Sequence, residues 1–421
     1  MRKGYKIKRY NRIYRRRPGG LTPVKIVLLV LAAALSALLV FSLYGPVHDF
    51  LSGRLSSTIG ASGGEESASP SSGGEASQPL TAPAPAAPAA QDAPQSEPAP
   101  IKGLRACYIP VSRLLADEAL SFVEGTGVEG YNAVMIDLKD TNGSVLYRSN
   151  LELVAQAGAQ SENAVDLGAL CSELHAAGYQ VVGRVQAFRD PLAPKGQEMA
   201  AIKYMNSDWG WLDAEAERGG KPWLNPYSPI AQSYITDIAL EAIGAGVDTI
   251  LLDSVQFPEG YGLEYATYGE WSQSKPKDAV LREFVQSVRE QAAQRGGSLL
   301  CYTSADSLFG QNNARYGESN PANLFGETLA VGVMPASFGE VYELEGFRLQ
   351  APATTPFDTV QAVLGRVKTS APSVQTLVAC LQGYTDNTLE GEYNRQYTAA
   401  DVAEQIRAAG EVGIDSYIVL Y

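Results

Sequence analysis

Histidine is nearly absent from this chain: 421 residues contain two, His48 and His175. A Ser–His–Asp triad, or a zinc site built on several imidazoles, has almost no material to draw on. Cysteine is scarce too. Cys107, Cys171, Cys301 and Cys380 each lie inside an apolar run, without the close spacing of a metal site. They read as small buried residues with free thiols, although an oxidising compartment could pair them. No Gly-x-Gly-x-x-Gly turn follows the first expected strand, so the dinucleotide-binding fingerprint is missing. No metal and no organic cofactor is expected. Basic residues are also missing where a nucleic acid would need them. Ten of the 33 Lys and Arg precede residue 26, leaving 23 against 46 acidic residues, a formal −23. Such a surface repels phosphate, and nucleic acid is not an expected partner.

The basic residues that are present mark a boundary. Residues 1–25 form a basic tail with no acid, including Arg15-Arg16-Arg17. Ile26 to Leu43 follows as an uncharged run rich in Leu, Val and Ala, and residues 26–44 read as a transmembrane anchor. A cleaved signal peptide competes with this reading, but the run is long for one and no Ala-x-Ala closes it. Positive-inside bias places the N-terminus in the cytoplasm and the rest outside the membrane. Residues 45–100, mostly Ser, Gly, Ala and Pro, cannot bury apolar surface and read as a disordered tether.

From residue 101 to 421 the pattern alternates between strands and helices. Strands are expected at Leu104–Pro110, Ala133–Leu138, Gln180–Phe188, Val247–Leu252, Ser298–Thr303, Leu329–Met334, Gln375–Leu381 and Asp415–Leu420. Helices are expected at Ala116–Gly125, Asp166–Gly178, Ile230–Ile243, Lys277–Arg295, Phe357–Thr369 and Ala399–Ala409. Ser228 is the predicted cap of the third, with Pro229 at its first position. Eight strands alternating with helices predict an α/β fold, a (β/α)8 TIM barrel, with a doubly wound open sheet as the alternative.

In such a barrel the C-terminal strand tips carry the chemistry. Here they read Asp137-Leu-Lys139-Asp140, Phe188-Arg189-Asp190, Asp253, Thr303-Ser304-Ala305-Asp306 and Gln382. The fourth strand is the clearest: an apolar run broken by Asp253, with Phe257-Pro258 ending regular structure. A loop-bracing aspartate is the plainer reading of any one of these tips. Several carboxylates around one mouth suit glycoside hydrolysis, which needs two carboxyl groups and no histidine. Trp209, Trp211, Trp223 and Trp271 flank the fourth strand, with Tyr227, Tyr261, Tyr265 and Tyr268. Aromatic faces suit sugar rings; alternatively Trp209, Trp211 and Trp223 staple a hairpin around Gly219-Gly220.

Several motifs give the domain a family likeness: Lys139-Asp140-Thr-Asn-Gly143, Arg184-Val-Gln-Ala-Phe188-Arg-Asp190-Pro191-Leu192 and Trp223-Leu-Asn225-Pro226-Tyr227. Asp253-Ser-Val-Gln256-Phe257-Pro258, Ser304-Ala305-Asp306 and Leu381-Gln382 complete the ordered set. In these it resembles, over roughly residues 104 to 421, a bacterial family of glycoside-hydrolase-like domains of the TIM-barrel type, described as a domain of unknown function. Two positions depart from the pattern. Gln256 stands where that family carries Arg, and Val333-Met334-Pro335-Ala336-Ser337-Phe338 stands where it carries Pro-Met-x-Tyr-Pro.

The resemblance implies a glycoside hydrolase; with the anchor read from residues 1–44, the expectation is a membrane-anchored, extracytoplasmic enzyme acting on an envelope or extracellular polysaccharide. Asp253 would be nucleophile or base and Asp306 the proton donor, with Glu259 or Glu318 as other candidates for the acid. Asp137, Asp140, Arg184, Asp190, Gln256 and Gln382 would line the substrate site, and Trp223 and Tyr227 would stack on a ring. The alternative from another class is a non-catalytic glycan-binding or scaffold protein on the same barrel.

Overall fold

The computed structural model describes residues 98 and 100–421, apart from 116, 311 and 312. The basic tail, the anchor and nearly all of the tether lie outside the described residues. Among the described residues no helix is long and apolar enough to cross a membrane.

Eight parallel strands close on themselves. They are β1 Arg105–Tyr108, β2 Ala133–Lys139, β3 Gln180–Gln186, β4 Thr249–Asp253, β5 Ser298–Ser304, β6 Thr328–Gly332, β7 Thr376–Gln382 and β8 Ser416–Leu420. Each pairs with the next, and β8 returns to β1 through Arg105↔Tyr417, Ala106↔Ile418 and Cys107↔Val419. That closure removes the open edges of a doubly wound sheet. The principal helices between strands are α1 Ala119–Gly125, α2 Leu167–Ala176, α3 Pro229–Gly244, α4 Lys277–Ala293, α5 Ala322–Phe325, α6 Pro356–Ser370 and α7 Ala399–Glu411. As read from the sequence, Ser228 caps α3, its side chain accepting from the Ala231 amide. The expected strands and helices all recur, with ends shifted by a few residues. The short α5 had no expected counterpart.

The period of two along each strand sorts the core into two layers. Ile250 and Leu252 of β4 face outward to the helices, in a cluster with Ile235, Phe284 and Val288. Leu251 faces inward, in a separate cluster with Ala106, Met135, Val182, Leu300, Ala330, Val378, Cys380 and Ile418. Tyr108, Tyr302, Met334 and Leu420 pack on that cluster. Parity then aims Asp137, Arg184 and Asp253 into the lumen, in phase with Met135, Val182 and Leu251. The four cysteines are buried and free, and burial pushes each thiol up to about 12. His175 bonds Asp248 at 2.8 Å, at the end of β4 opposite Asp253.

Two insertions were not apparent as structure from the sequence. After β2 the chain forms short strands Val145–Tyr147 and Gln160–Val165, the first pairing antiparallel with β2 at Lys139. The loops after β3 and β4 join through Lys203–Tyr204 and Ala266–Thr267 into a small antiparallel ribbon.

Candidate active site

Asp137, on β2, receives the Arg184 guanidinium bidentately, Nε to Oδ1 at 2.5 Å and Nη2 to Oδ2 at 2.9 Å. Such a fork fixes the plane of both groups. The Tyr108 hydroxyl donates to the same Oδ2 at 2.8 Å, and the guanidinium lies over the Tyr108 ring at 5.0 Å. Arg184 is thereby held at the centre of the lumen. Asp137 serves as its clamp.

Asp253 ends β4 beside this cation. Gln186 Nε2 donates to its Oδ2 at 2.9 Å; Ser254 Oγ, 3.2 Å from its Oδ1, makes its shorter bond to Gln186 Oε1 at 2.8 Å. Part of Asp253 stays open, but the surrounding wall removes most of its water. Burial therefore lifts its carboxyl above the usual carboxylate range, against the opposing pull of Arg184, Gln186 and Ser254. Ser254 holds φ at +56°, a left-handed conformation that non-glycine residues seldom adopt and that costs on the order of 1–3 kcal/mol. Its backbone carbonyl accepts from the Phe188 amide at 3.3 Å, as the Asp253 carbonyl does from Ala187 at 2.8 Å. The β3 loop thus holds the strained turn in place.

Asp306 opens the short helix Ala305–Phe309 after β5, with its side chain 48% exposed. Arg315 reaches it across 3.9 Å and pairs with Glu259 at 2.9 Å. Arg315 also donates to Ser307 Oγ at 2.7 Å, and its carbonyl accepts from the Phe257 amide at 2.9 Å. Gln256 accepts from the Tyr316 hydroxyl at 3.3 Å, and Tyr316 in turn meets Thr303 Oγ1 at 3.1 Å. The side chain at 256 brings no cation, but Arg315 supplies one from the next loop.

The remaining residues singled out in the sequence sit in the walls. Lys139 and Asp190 form an ion pair of 2.7 Å, both side chains 0% exposed. Lys139 donates to the Gln186 carbonyl at 2.7 Å; Asp190 Oδ1 accepts from the Leu192 and Ala193 amides. Asp140 accepts from the Asn142 and Ser144 amides, each at 2.9 Å. Gly143 has φ +84°, and a Cβ there would lie 2.3 Å from Asp190 Oδ1. The Lys-Asp-x-x-Gly motif and Asp190 are therefore one brace between the β2 and β3 loops. A substrate-contacting place for Asp190 does not fit its full burial.

Gln382 is likewise fully buried, accepting from the Ala336 amide and donating to the Tyr384 carbonyl. Trp223 is 5% exposed, packs with Ile202 and Trp211, and donates to Asp213 at 3.0 Å. Tyr227 is 6% exposed, stacks among Phe257 and Tyr268, and donates to the Lys275 carbonyl. Neither ring presents a face for a sugar. Of the four tryptophans, Trp209 and Trp271 are exposed and Trp211 and Trp223 are core, so the stapling expectation holds for Trp211 and Trp223 but not for Trp209. Bridges Leu212↔Pro222 and Lys203↔Gly210 draw that segment together.

Sequence reading did not single out Tyr108, Gln186 or Tyr302. The signal was present: each lies two residues from another inward position on its strand. Ser254 and Arg315 carried no comparable signal, because a left-handed turn and a loop crossing are tertiary facts.

Residues 106–421 match the family described as "Putative glycosyl hydrolase domain", and the chain belongs to that family. No curated protein matches it in sequence. Among solved structures, a hypothetical protein from Ruminiclostridium thermocellum ATCC 27405 is 28% identical, with a TM-score of 0.41, over 46% of this chain and 96% of its own. The PgaB (BpsB) glycoside hydrolase domain from Bordetella bronchiseptica is 13% identical, with a TM-score of 0.52, covering 76% of this chain and 94% of that one. That second likeness is one of fold.

Proposed function

We propose that this protein hydrolyses glycosidic bonds in an envelope or extracellular polysaccharide. The observation that carries the reading is Asp253: a carboxyl at a barrel strand tip, lifted by burial and set beside a clamped arginine. A carboxyl that burial makes hold its proton more tightly than a solvated one suits the general acid. This assigns Asp253 the proton-donor role, the reverse of the division expected from the sequence. Its proton passes to the glycosidic oxygen as the bond from that oxygen to the anomeric carbon breaks. Arg184, held by Asp137 and Tyr108, orients the sugar oxygens beside it. Asp306 supplies the second carboxylate, attacking the anomeric carbon or activating a water according to its distance from Asp253 in the bound state.

The basic residues 1–25 and the apolar run 26–44 support a single-pass anchor with the barrel outside the cell. Protease treatment of intact cells checks this, since the barrel is digested only if it is external.

The test is turnover of wall and capsular polysaccharides by the full chain, beside Asp253→Asn and Asp306→Asn. Loss of turnover in both supports the assignment; unchanged turnover in both overturns it. Gln256 favours a second reading, a glycan-binding barrel without catalysis, since it gives an amide where the resembled family has a guanidinium. Glycan binding with no turnover on any substrate selects that reading.

A further inference from the structure

We propose that Tyr302 is a further substrate-contacting residue, whose hydroxyl donates a hydrogen bond to a sugar oxygen beside Asp253. The inference rests on the glycan-site reading above.

Register places the two side by side. Leu252 pairs with Cys301 across β4 and β5, so Asp253 and Tyr302 are the next neighbours toward the mouth. Leu251 and Leu300, two residues earlier on each strand, both line the lumen, and so Asp253 and Tyr302 face it as well. On the other side Tyr302 pairs with Ala330 of β6. Beyond it is Gly332, where a Cβ would lie 2.2 Å from the Tyr302 hydroxyl. Two small residues on β6 therefore make room for the ring to stand upright in the barrel.

Several donors at the mouth already have protein partners. Tyr108 and Arg184 donate to Asp137, Gln186 to Asp253, Ser254 to Gln186, and Tyr316 to Gln256. The Tyr302 hydroxyl, partly buried among them, has no hydrogen-bond partner among the described residues. A hydroxyl that faces the mouth without a protein partner, beside groups that have theirs, is a place for a ligand atom. Because burial keeps the phenol neutral, it remains a donor across the physiological range. The partner it fits is an acceptor oxygen: a hydroxyl, ring or substituent oxygen of the sugar on which Asp253 acts.

The experiment compares the full chain with Tyr302→Phe, which removes only the oxygen, and Gly332→Ala, which crowds it. Each is measured for reducing-end release and for oligosaccharide binding on one panel of wall and capsular polysaccharides, with melting temperature as control. Tyr302→Phe is expected to lower kcat/KM about 10- to 100-fold, the range of a hydrogen bond in a buried site, with the melting temperature unchanged. Gly332→Ala is expected to lower it too, but to add little in the Tyr302→Phe background. Equal kcat/KM for Tyr302→Phe and the parent overturns the proposal while leaving the hydrolase reading intact. Should the parent bind glycan without turnover, the hydrolase reading falls and the same comparison is made on Kd: a weakened Kd supports Tyr302, an unchanged one overturns it. A parent that neither cleaves nor binds any of the panel overturns both.

Discussion

Two corners of the same barrel handle carboxylates in opposite ways. At the β2–β3 corner, Asp190 is sealed from water against Lys139 and two backbone amides. At the β4–β5 corner, Asp253 meets the Gln186 amide and the Ser254 turn, with Arg184 nearby but clamped to Asp137. A carboxylate matched by a buried cation and two amides is a fixed tie between loops. One that is desolvated without a direct counter-ion has its pKa raised instead. The first arrangement holds loops together, and the second leaves a carboxyl of raised pKa facing the lumen. Both aspartates stand at strand tips in the sequence, so the difference lies in what surrounds them.

The contrast can be broken most sharply at Asp253. Asp253→Asn is expected to cut turnover by about 10²- to 10⁴-fold with little change in melting temperature. Kinetics on a cleaved polysaccharide and a thermal scan measure the two halves of that statement.

Asp190→Asn should do the reverse. Leaving Lys139 buried without its counter-ion is expected to cost about 3–5 kcal/mol in a urea titration, with activity per folded molecule retained. An Asp190→Asn protein as stable as the parent would mean that the brace does not hold the β2 and β3 loops.

The ribbon offers a parallel pair. Trp211 is fully buried and donates to the Gly262 carbonyl, so Trp211→Ala is expected to cost about 3–5 kcal/mol in the same titration. Trp209, 77% exposed, should change stability by no more than about 0.5 kcal/mol on truncation to Ala. A measurable loss of glycan affinity in Trp209→Ala would add that ring to the binding surface.

A smaller effect follows from pH. Burial raises the Asp253 carboxyl in the folded protein, so the folded state keeps this proton after the unfolded chain has released it near pH ~4. The group's contribution is whole below that value and is lost as pH rises through the raised one. The expected slope is that of a single proton, at most about 1.4 kcal/mol per pH unit. Asp253→Asn should flatten it in stability measured against pH, and the alkaline limb of the activity profile should depend on the same group.

Much of this was legible in the sequence. The apolar runs with period two, the capped helix at Ser228–Pro229 and the alternation of elements are local patterns, and local patterns set the eight strands. Asp137 and Asp253 could be placed at strand tips because strand ends are countable, while Arg184 entered only through the family resemblance. Trp223, Tyr227, Asp190 and Gln382 were less tractable. An aromatic ring or a polar side chain in a loop has the same identity whether it faces water or the core. Its exposure depends on which loop crosses over it.

The sequence alone determined the class of fold, the likeness to glycoside-hydrolase-like domains and the absence of imidazole chemistry, since these depend on composition, periodicity and the order of short motifs. Tertiary structure decided which carboxylates are braces and which one lies desolvated beside a clamped arginine. Strand pairing sets β4 between β3 and β5, and the shift of the Asp253 carboxyl comes from desolvation and from neighbours up to 69 residues away in the chain, as Arg184 is. No local pattern records those distances.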